Sequence, residues 1–325
     1  ITIRKFRSLK IPSGNFRDLI HAACKGGRAE LFKRGVITDE ISQDFETALD
    51  VAAKYGLDGV EIRSVWDKSA HELNSADIER IKGLLKKKGL RVCAIGSQFF
   101  KCSMNNDAEV SAHIKILEKC ISLAKELDAR FIRGFTFWKE GDFNDNLSDL
   151  LNRFKLPIRM LHKTGMTMVL ESDPSVYASN ARKLKRVVEG LDSDCVKALW
   201  DPGNDIYDPD GEIPFPDGYD IIKPFMVHMH LKDATKQGNG KIAGMPIGKG
   251  QVDLKGQFEA LLRDGYDGYV VLETHYRPAH DIGEDLLHLP KGSAFSYLGK
   301  EATEECLDNW AAMMKSIHIE RGNAR

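Results

Sequence analysis

Four apolar segments in the C-terminal half of the chain end in side chains that could do chemistry: Glu171, Asp201, His230 and Glu273. An ionised group at the end of an apolar strand is costly unless it is solvated, paired or bound to a metal. Three carboxylates and one imidazole form a mostly oxygen donor set, which suits Mn²⁺ first and Mg²⁺, Co²⁺ or Zn²⁺ as alternatives. The pattern predicts one divalent metal ion held by these side chains. Ion pairs at the starts of loops are the alternative.

Eight short apolar segments are predicted as strands: 35–38, 59–63, 90–96, 130–134, 166–171, 197–201, 226–231 and 269–273. They are apolar nearly throughout, which is typical of parallel strands buried on both faces. The amphipathic segments between them are predicted as helices: 44–55, 76–88, 108–127, 147–163, 176–190, 255–264 and 303–317, with a short helix near 217–223. This alternation predicts an α/β fold of the (β/α)₈ TIM-barrel type, in which catalytic groups lie at the carboxyl ends of the strands. An open doubly wound sheet is the alternative, but GxGxxG does not follow the first strand.

The predicted domain organisation is a basic extension followed by one barrel. Residues 1–34 carry nine Lys or Arg against two acidic residues. We expect this extension to pack loosely on the barrel, because it lacks the interleaved aromatic residues of a nucleic-acid-binding arm. The barrel occupies 35–325 and has an insertion near 278–300, before the last helix, which we expect to cover the site or to mediate oligomer contacts.

The composition excludes several classes of protein. The chain has 325 residues, 42% hydrophobic and 29% charged, with a net charge of -1. These values are those of a globular protein and give no electrostatic reason for binding nucleic acid or a membrane surface. Apolar runs are too short for a transmembrane helix. The six cysteines form no CxxC motif, which favours a reducing, cytoplasmic location, with an upstream segment removed before Ile1 as the open alternative.

The series VLE, WDPGN, HMHLKD, GKGQVD and GYDGYVVLE resembles the xylose-isomerase-like TIM-barrel superfamily. This is the sugar phosphate isomerase/epimerase group, which also holds ketose 3-epimerases, inosose dehydratase and endonuclease IV. The resemblance covers about residues 35–275, and the N-terminal half matches mainly through GLDGVEIR. It implies a metal-dependent enzyme that acts on a small sugar or polyol, with no nucleic acid and no membrane as partner. A homo-oligomer is left open.

The resemblance also implies roles for the four donors. The family's metal ligands match Glu171, Asp201, His230 (rather than His228) and Glu273, and its two glutamates act as an acid–base pair on opposite sides of the substrate. A metal that stabilises an enediolate lets one glutamate take a proton and the other return it. The implied function is a sugar isomerase or epimerase, with a dehydratase of the inosose or 3-dehydroshikimate type as the alternative. An endonuclease IV-like nuclease and a non-catalytic sugar-binding barrel are further alternatives.

Six other side chains are predicted to bind the substrate: Lys101, Arg133, Trp138, Asn204, His228 and Arg277. They follow strand ends or, in the case of His228, lie on the same face of a strand as a metal ligand. Glu61 and Arg63, at the end of the second strand, are expected to pair with each other. One departure weakens a close match to ketose 3-epimerases: Tyr177 stands where that group has a second glutamate.

Overall fold

The computed structural model describes residues 32–238, 241–278 and 282–323. Eight parallel strands close into a barrel in which every strand pairs with its neighbours in the chain and the last pairs with the first. The strands are β1 (Lys33–Ile37), β2 (Gly59–Ile62), β3 (Arg91–Phe99), β4 (Phe131–Gly134), β5 (Thr167–Glu171), β6 (Val196–Trp200), β7 (Met226–Leu231) and β8 (Tyr269–Leu272). The predicted TIM barrel is confirmed. Residues 1–31 of the predicted basic extension lie outside the described residues.

Helices connect successive strands and cover the outside of the barrel. They are α1 (Phe45–Lys54), α2 (Ser75–Lys88), α3 (Asp107–Glu126), α4 (Phe143–Arg153), α5 (Lys155–Thr164), α6 (Ala181–Leu191), α7 (Pro202–Tyr207), α8 (Tyr219–Ile222), α9 (Leu254–Arg263), α10 (Glu284–His288), α11 (Gly292–Phe295) and α12 (Gly299–Asn323). Local signals set several ends: Asn74 and Asp77 form a capping box at the start of α2, and Gly89 ends it with a positive φ of 67°. None of the helices in the described ranges has the length and hydropathy needed to cross a membrane.

The predicted strands agree with the structure to within three residues at each end, whereas some helices differ more. The predicted helix 147–163 is two helices, which meet at the buried Phe154. The predicted helix 176–190 begins only at Ala181, because Val176 forms an isolated β-bridge with Trp138 and Asn180 caps the helix. The last helix is longer than predicted and covers Gly299–Asn323.

Two antiparallel hairpins extend beyond the carboxyl ends of the barrel strands. Ser64–Val65 pairs with Lys68–Ser69, and Asp233–Lys236 pairs with Ile242–Met245. The second hairpin follows β7 directly, and it leads into the glycine-rich loop at 246–253 that the sequence singled out. Both hairpins therefore rise at the end of the barrel where the four candidate metal donors lie.

Candidate functional site

The structure brings the four candidate donors together at the carboxyl ends of β5 to β8. Glu171 ends β5, Asp201 follows β6, His230 lies in β7 and Glu273 follows β8. One ligand atom from each lies within 4.8 Å of the others, and all four residues are buried. Sequence position had suggested this convergence because parallel strands of a barrel present their carboxyl ends on one face.

Backbone geometry explains how Asp201 reaches this cluster. It is the N-cap of α7, and its Oδ1 accepts hydrogen bonds from the backbone N–H groups of Gly203 at 2.9 Å and Asn204 at 3.3 Å. Its other oxygen, Oδ2, lies 2.8 Å from the ammonium group of Lys232. Burial raises the pKa of Asp201 to about 7, although Lys232 opposes the rise, and the nearby Glu273 and Glu171 add to it. Burial thus disfavours the ionised form of Asp201.

Glu273 has the most cationic surroundings of the four. Its Oε1 accepts a hydrogen bond from Arg63 at 2.8 Å, and its Oε2 accepts one from Lys232 at 2.9 Å. Burial opposes ionisation, but Lys232 and then His275 hold the pKa of Glu273 well below its usual range. His275 itself stays neutral near pH 7, because burial lowers its pKa to about 4. Glu273 is thus kept in the form that can accept a proton.

Glu171 is held by a different set of side chains. Its Oε2 accepts a hydrogen bond from Arg133 at 3.1 Å, and its Oε1 accepts one from the amide of Asn204 at 3.3 Å. The same oxygen lies 3.3 Å from Nδ1 of His230. Although burial opposes it, Glu61 and then Glu171 raise the pKa of His230 well above its usual value.

The donor set fits a hard or borderline divalent cation. Three carboxylates and one imidazole, all buried and within reach of one another, are the ligands that Mn²⁺, Mg²⁺, Co²⁺ and Zn²⁺ take in proteins. Burial raises the pKa of Asp201, and a bound cation would favour its ionised form. The residues present therefore fit the metal that the sequence predicted.

A cavity of about 560 Å³ opens above this cluster. Its volume lies in the range of small-molecule sites. Of the six predicted substrate-binding residues, four line it: Lys101, Arg133, Asn204 and Arg277. The cavity places these side chains beside Glu171 and Glu273.

The other two predicted substrate-binding residues lie elsewhere. His228 is 0% exposed and lies beneath the cluster, where its Nε2 is 3.0 Å from Glu61. Trp138 is half-buried, with its ring 5.8 Å from the ammonium group of Lys101, and is not among the described residues that line the cavity. The hydroxyl of Tyr177, which stands where the resemblance implies a glutamate, donates to the carbonyl of Glu140 in the loop between β4 and α4.

The expectation that Glu61 and Arg63 pair with each other is wrong. Arg63 donates hydrogen bonds to Asp39, Glu40 and Glu273 instead. Arg63 lies just beyond the end of β2, where its guanidinium lines the cavity, whereas Glu61 lies within β2 and contacts the two histidines of β7.

Sequence reasoning missed Lys232 and His275 as members of the site, although a signal was present. Each lies two residues beyond a candidate donor, Lys232 after His230 and His275 after Glu273. In an extended chain that spacing places side chains on one face. Lys232 lies in the cavity wall and contacts two of the carboxylates.

Asp233 anchors the glycine-rich loop beside the site. Its carboxylate accepts hydrogen bonds from the backbone N–H groups of Gly248 at 2.9 Å, Gly250 at 2.8 Å and Val252 at 3.3 Å. Glycine is required at Gly250, because a Cβ there would lie 2.1 Å from Oδ1 of Asp233. This anchor fixes the loop against the hairpin that lines one side of the cavity.

The segment between β8 and α12 covers the other side of the cavity. Leu287 and Pro290 line it, and the carbonyl of His288 accepts a hydrogen bond from Lys101 at 2.9 Å. Further along, the carbonyl of Phe295 accepts one from Arg277 at 2.6 Å. The predicted insertion near 278–300 thus contains two short helices, α10 and α11, which lie next to the candidate site.

Residues 49–292 match the model of the family described as xylose isomerase-like TIM barrel. The chain belongs to this family. The resemblance drawn from the strand-end motifs is therefore confirmed, and the match extends over the strands and loops that carry all four candidate donors.

Several known proteins of this xylose isomerase-like family are similar to the chain. L-ribulose-5-phosphate 3-epimerase UlaE from Escherichia coli (strain SMS-3-5 / SECEC) is 26% identical over 244 residues, 72% of this chain and 83% of the relative. The structure of D-allulose 3-epimerase from Methylomonas sp. in complex with D-allulose has a TM-score of 0.64 and 15% identity, and covers 85% of this chain and 96% of that one. The probable 3-DHS dehydratase AsbF from Bacillus anthracis has a TM-score of 0.63 and 19% identity, and covers 84% and 99%. The two solved structures share the fold.

Proposed function

We propose that this protein is a divalent-metal-dependent sugar isomerase or epimerase, with Glu171 and Glu273 as its acid–base pair. The observation that carries the proposal is the group of four buried donors, whose ligand atoms lie within 4.8 Å of one another and two of which, Glu171 and Glu273, line the cavity. Two of the four are glutamates, so the residues that would hold the metal can also move a proton. The epimerase relative supports a sugar as substrate.

The metal, when bound, would polarise the substrate's carbonyl and stabilise the negative charge that forms after a neighbouring C–H bond is broken. Glu273 is held ionised, so it can accept the proton from carbon. Glu171, after taking a proton from solvent, can return it to carbon, and Glu273 then releases its proton to solvent. The hydrogen bonds from Arg63 to Glu273 and from Arg133 to Glu171 keep each carboxylate from rotating away.

Where the proton returns decides the reaction. Return to a second carbon gives an isomer, and return to the same carbon on the opposite face gives an epimer. Loss of a neighbouring hydroxyl from the same intermediate would give dehydration. Mn²⁺ is the metal that we propose first, and a cytoplasmic location and a homo-oligomer stay predictions.

The test is proton exchange with solvent. The protein, supplied with Mn²⁺ in D₂O, is incubated with keto-sugars and sugar phosphates, including L-ribulose 5-phosphate and D-allulose, and the products are analysed by mass. We expect one deuterium to enter at the carbon next to the carbonyl, and one divalent ion per chain by metal analysis. A dehydratase would instead form an ultraviolet-absorbing enone, and a nuclease of the endonuclease IV type would hold three zinc ions.

Glu171→Gln and Glu273→Gln should each slow this exchange by about 10²- to 10⁴-fold, since general acid–base catalysis contributes that much. The matched control is Glu189→Gln, on the exposed side of α6, which should exchange at the wild-type rate. Full exchange activity in either active-site variant would show that the acid–base assignment is wrong.

A further inference from the structure

We infer that Glu61 is a positioning residue for the proposed metal site. It keeps a hydrogen on Nε2 of His230, so that the other ring nitrogen, Nδ1, which faces the three carboxylates, is the one that can bind the metal. Glu61 is not one of the four donors and does not line the cavity among the described residues. Its role rests on the proposed metal site, but it can be measured without any sugar. The argument starts from one oxygen atom that contacts two imidazoles.

Glu61 lies in β2 with 0% of its surface exposed. Its Oε2 lies 3.0 Å from Nε2 of His228 and 3.1 Å from Nε2 of His230. An ionised carboxylate can only accept hydrogen bonds. Both Nε2 atoms must therefore carry a hydrogen, and the carboxylate selects the same tautomer in both rings.

The opposite edge of the His230 ring faces the candidate donors. Its Nδ1 lies 3.3 Å from Oε1 of Glu171 and 3.7 Å from Oε2 of Glu273. A metal binds the lone pair of a neutral imidazole, and the hydrogen bond of the other ring nitrogen decides where that lone pair is. Without a metal, Nδ1 also carries a hydrogen that it shares with Glu171. Once a metal displaces that proton, the hydrogen kept on Nε2 by Glu61 leaves the lone pair on Nδ1, at the cluster.

His228 completes the arrangement from the other side. It lies two residues before His230 in β7, so both rings project from the same face of the strand. Its ring centroid is 5.7 Å from that of His230 and 5.7 Å from that of Phe131, which packs it in place. His228 thus helps to hold the carboxylate of Glu61 where it contacts His230.

A competing arrangement would have Glu61 bind a metal directly. Glu61, His228 and Cys93 also place ligand atoms within 4.8 Å of one another. The two arrangements differ in their dependence on the thiol. If Glu61 acts through His230, Cys93→Ser should leave metal affinity unchanged, whereas a metal bound by the thiol would be lost.

The first experiment measures Mn²⁺ binding by titration calorimetry in the absence of sugar. Glu61→Gln should weaken the affinity by about 10- to 100-fold, the usual effect of removing a carboxylate that orients a ligating histidine. The matched control is Asp208→Asn, a buried carboxylate that accepts from Asn180 and lies outside the four-donor cluster. It should bind Mn²⁺ within about twofold of the wild-type protein.

The second experiment reads the tautomer directly by ¹⁵N NMR of histidine-labelled protein loaded with Mg²⁺, which is diamagnetic. Wild-type His230 should carry its hydrogen on Nε2, coupled to a slowly exchanging downfield proton. In Glu61→Gln that proton should move or be lost, a change that a purely structural role would not produce. If Glu61→Gln does not fold, the wild-type spectrum decides alone, because a hydrogen on Nδ1 of His230 overturns the inference.

The outcomes separate this inference from the proposed function. A protein that binds Mn²⁺ less well after Glu61→Gln but turns over no sugar would refute the proposed reaction and keep the positioning role. Unchanged Mn²⁺ affinity in folded Glu61→Gln would refute the positioning role and leave the proposed reaction standing. Loss of Mn²⁺ binding in Cys93→Ser would also overturn the positioning role.

Discussion

The two sides of the candidate site hold their glutamates differently. On one side Glu273 accepts hydrogen bonds from Arg63 and Lys232, and Arg63 also binds Asp39 and Glu40. All of these charges are buried. Lys232 also lies 2.8 Å from Asp201, so Glu273 is part of a network in which two cations face four carboxylates and moving one group disturbs the others.

On the other side Glu171 contacts one arginine, one neutral amide and one imidazole, those of Arg133, Asn204 and His230. Nε of Arg133 also donates to the carbonyl of Ser97, at 3.4 Å. These contacts come from strands β3, β4 and β7 and from α7, which follows β6. The Glu273 network instead draws together residues from β2, β7 and β8 and from the 3₁₀ turn at Thr38–Glu40. The difference teaches that Glu273 belongs to an extended charge network on which the stability of the barrel depends, whereas Glu171 is held by a few contacts from neighbouring elements.

The largest expected effect separates the two arginines. Arg63→Met should destabilise the protein by about 3–5 kcal/mol, because removing one partner from a buried ion pair leaves uncompensated charge. Arg133→Met should cost less, about 1–3 kcal/mol, since Glu171 keeps its bond from Asn204. Urea unfolding of both variants in EDTA at pH 7 measures the difference. Equal losses of unfolding free energy in the two variants would show that the two glutamates are held with equal strength.

An effect of intermediate size concerns pH. Metal ligands must lose their protons to bind. Burial raises the pKa of Asp201 to about 7, and the pKa of His230 is also raised, so both carry a proton in part of the population below pH 7. Glu273 stays ionised over this pH range and therefore contributes nothing to the pH dependence of Mn²⁺ binding. We expect Mn²⁺ affinity to be about 10- to 100-fold weaker at pH 6 than at pH 7, since each of the two displaced protons contributes up to a factor of ten per pH unit.

Calorimetry in two buffers with different ionisation enthalpies measures the protons that Mn²⁺ releases. Release should be greater at pH 6 than at pH 7.5. An affinity that does not change between these values would show that Asp201 and His230 are already deprotonated. The pH dependence would then have to be assigned to groups outside the four donors.

The smallest effect tests the local contacts of Glu171. Asn204→Ala removes the donor to Glu171 and a 2.8 Å hydrogen bond to the carbonyl of Ser172. It should reduce the free energy of unfolding by about 1–2 kcal/mol, because a buried carbonyl loses its partner. Asn146→Ala, which removes an exposed bond to the carbonyl of Asp142, is the control and should change little. Denaturant unfolding that shows no difference between the two would mean that Glu171 does not depend on this amide.

Much of the fold could be predicted because periodicity is a local property. All eight strands and most helices were found from apolar patterning. The failures have local physical causes as well. The helix predicted over 147–163 is interrupted at Phe154, because Pro157 has no N–H to bond the carbonyl of Arg153. Val176 pairs with Trp138 instead of starting a helix.

The four candidate donors could be found in the sequence because each one ends or follows an apolar strand. The partners of those donors could not. Arg63 and Glu273 are 210 residues apart in the chain, and Lys101 and Asp173 are 72 apart. No local pattern specifies which cation meets which carboxylate when the barrel closes, so Arg63 was assigned to the wrong partner.

The sequence by itself determined the barrel, the end of the barrel at which the candidate site lies and the chemical types of the four donors. It could do so because apolar patterning and strand ends are local features of the sequence. Only the tertiary structure decided that Glu61 supports His230, that Lys232 lies between Asp201 and Glu273, and that His228 is beneath the cavity. The physical reason is that burial and ion pairing depend on which strands become neighbours, and that is settled only when the ring of strands is closed.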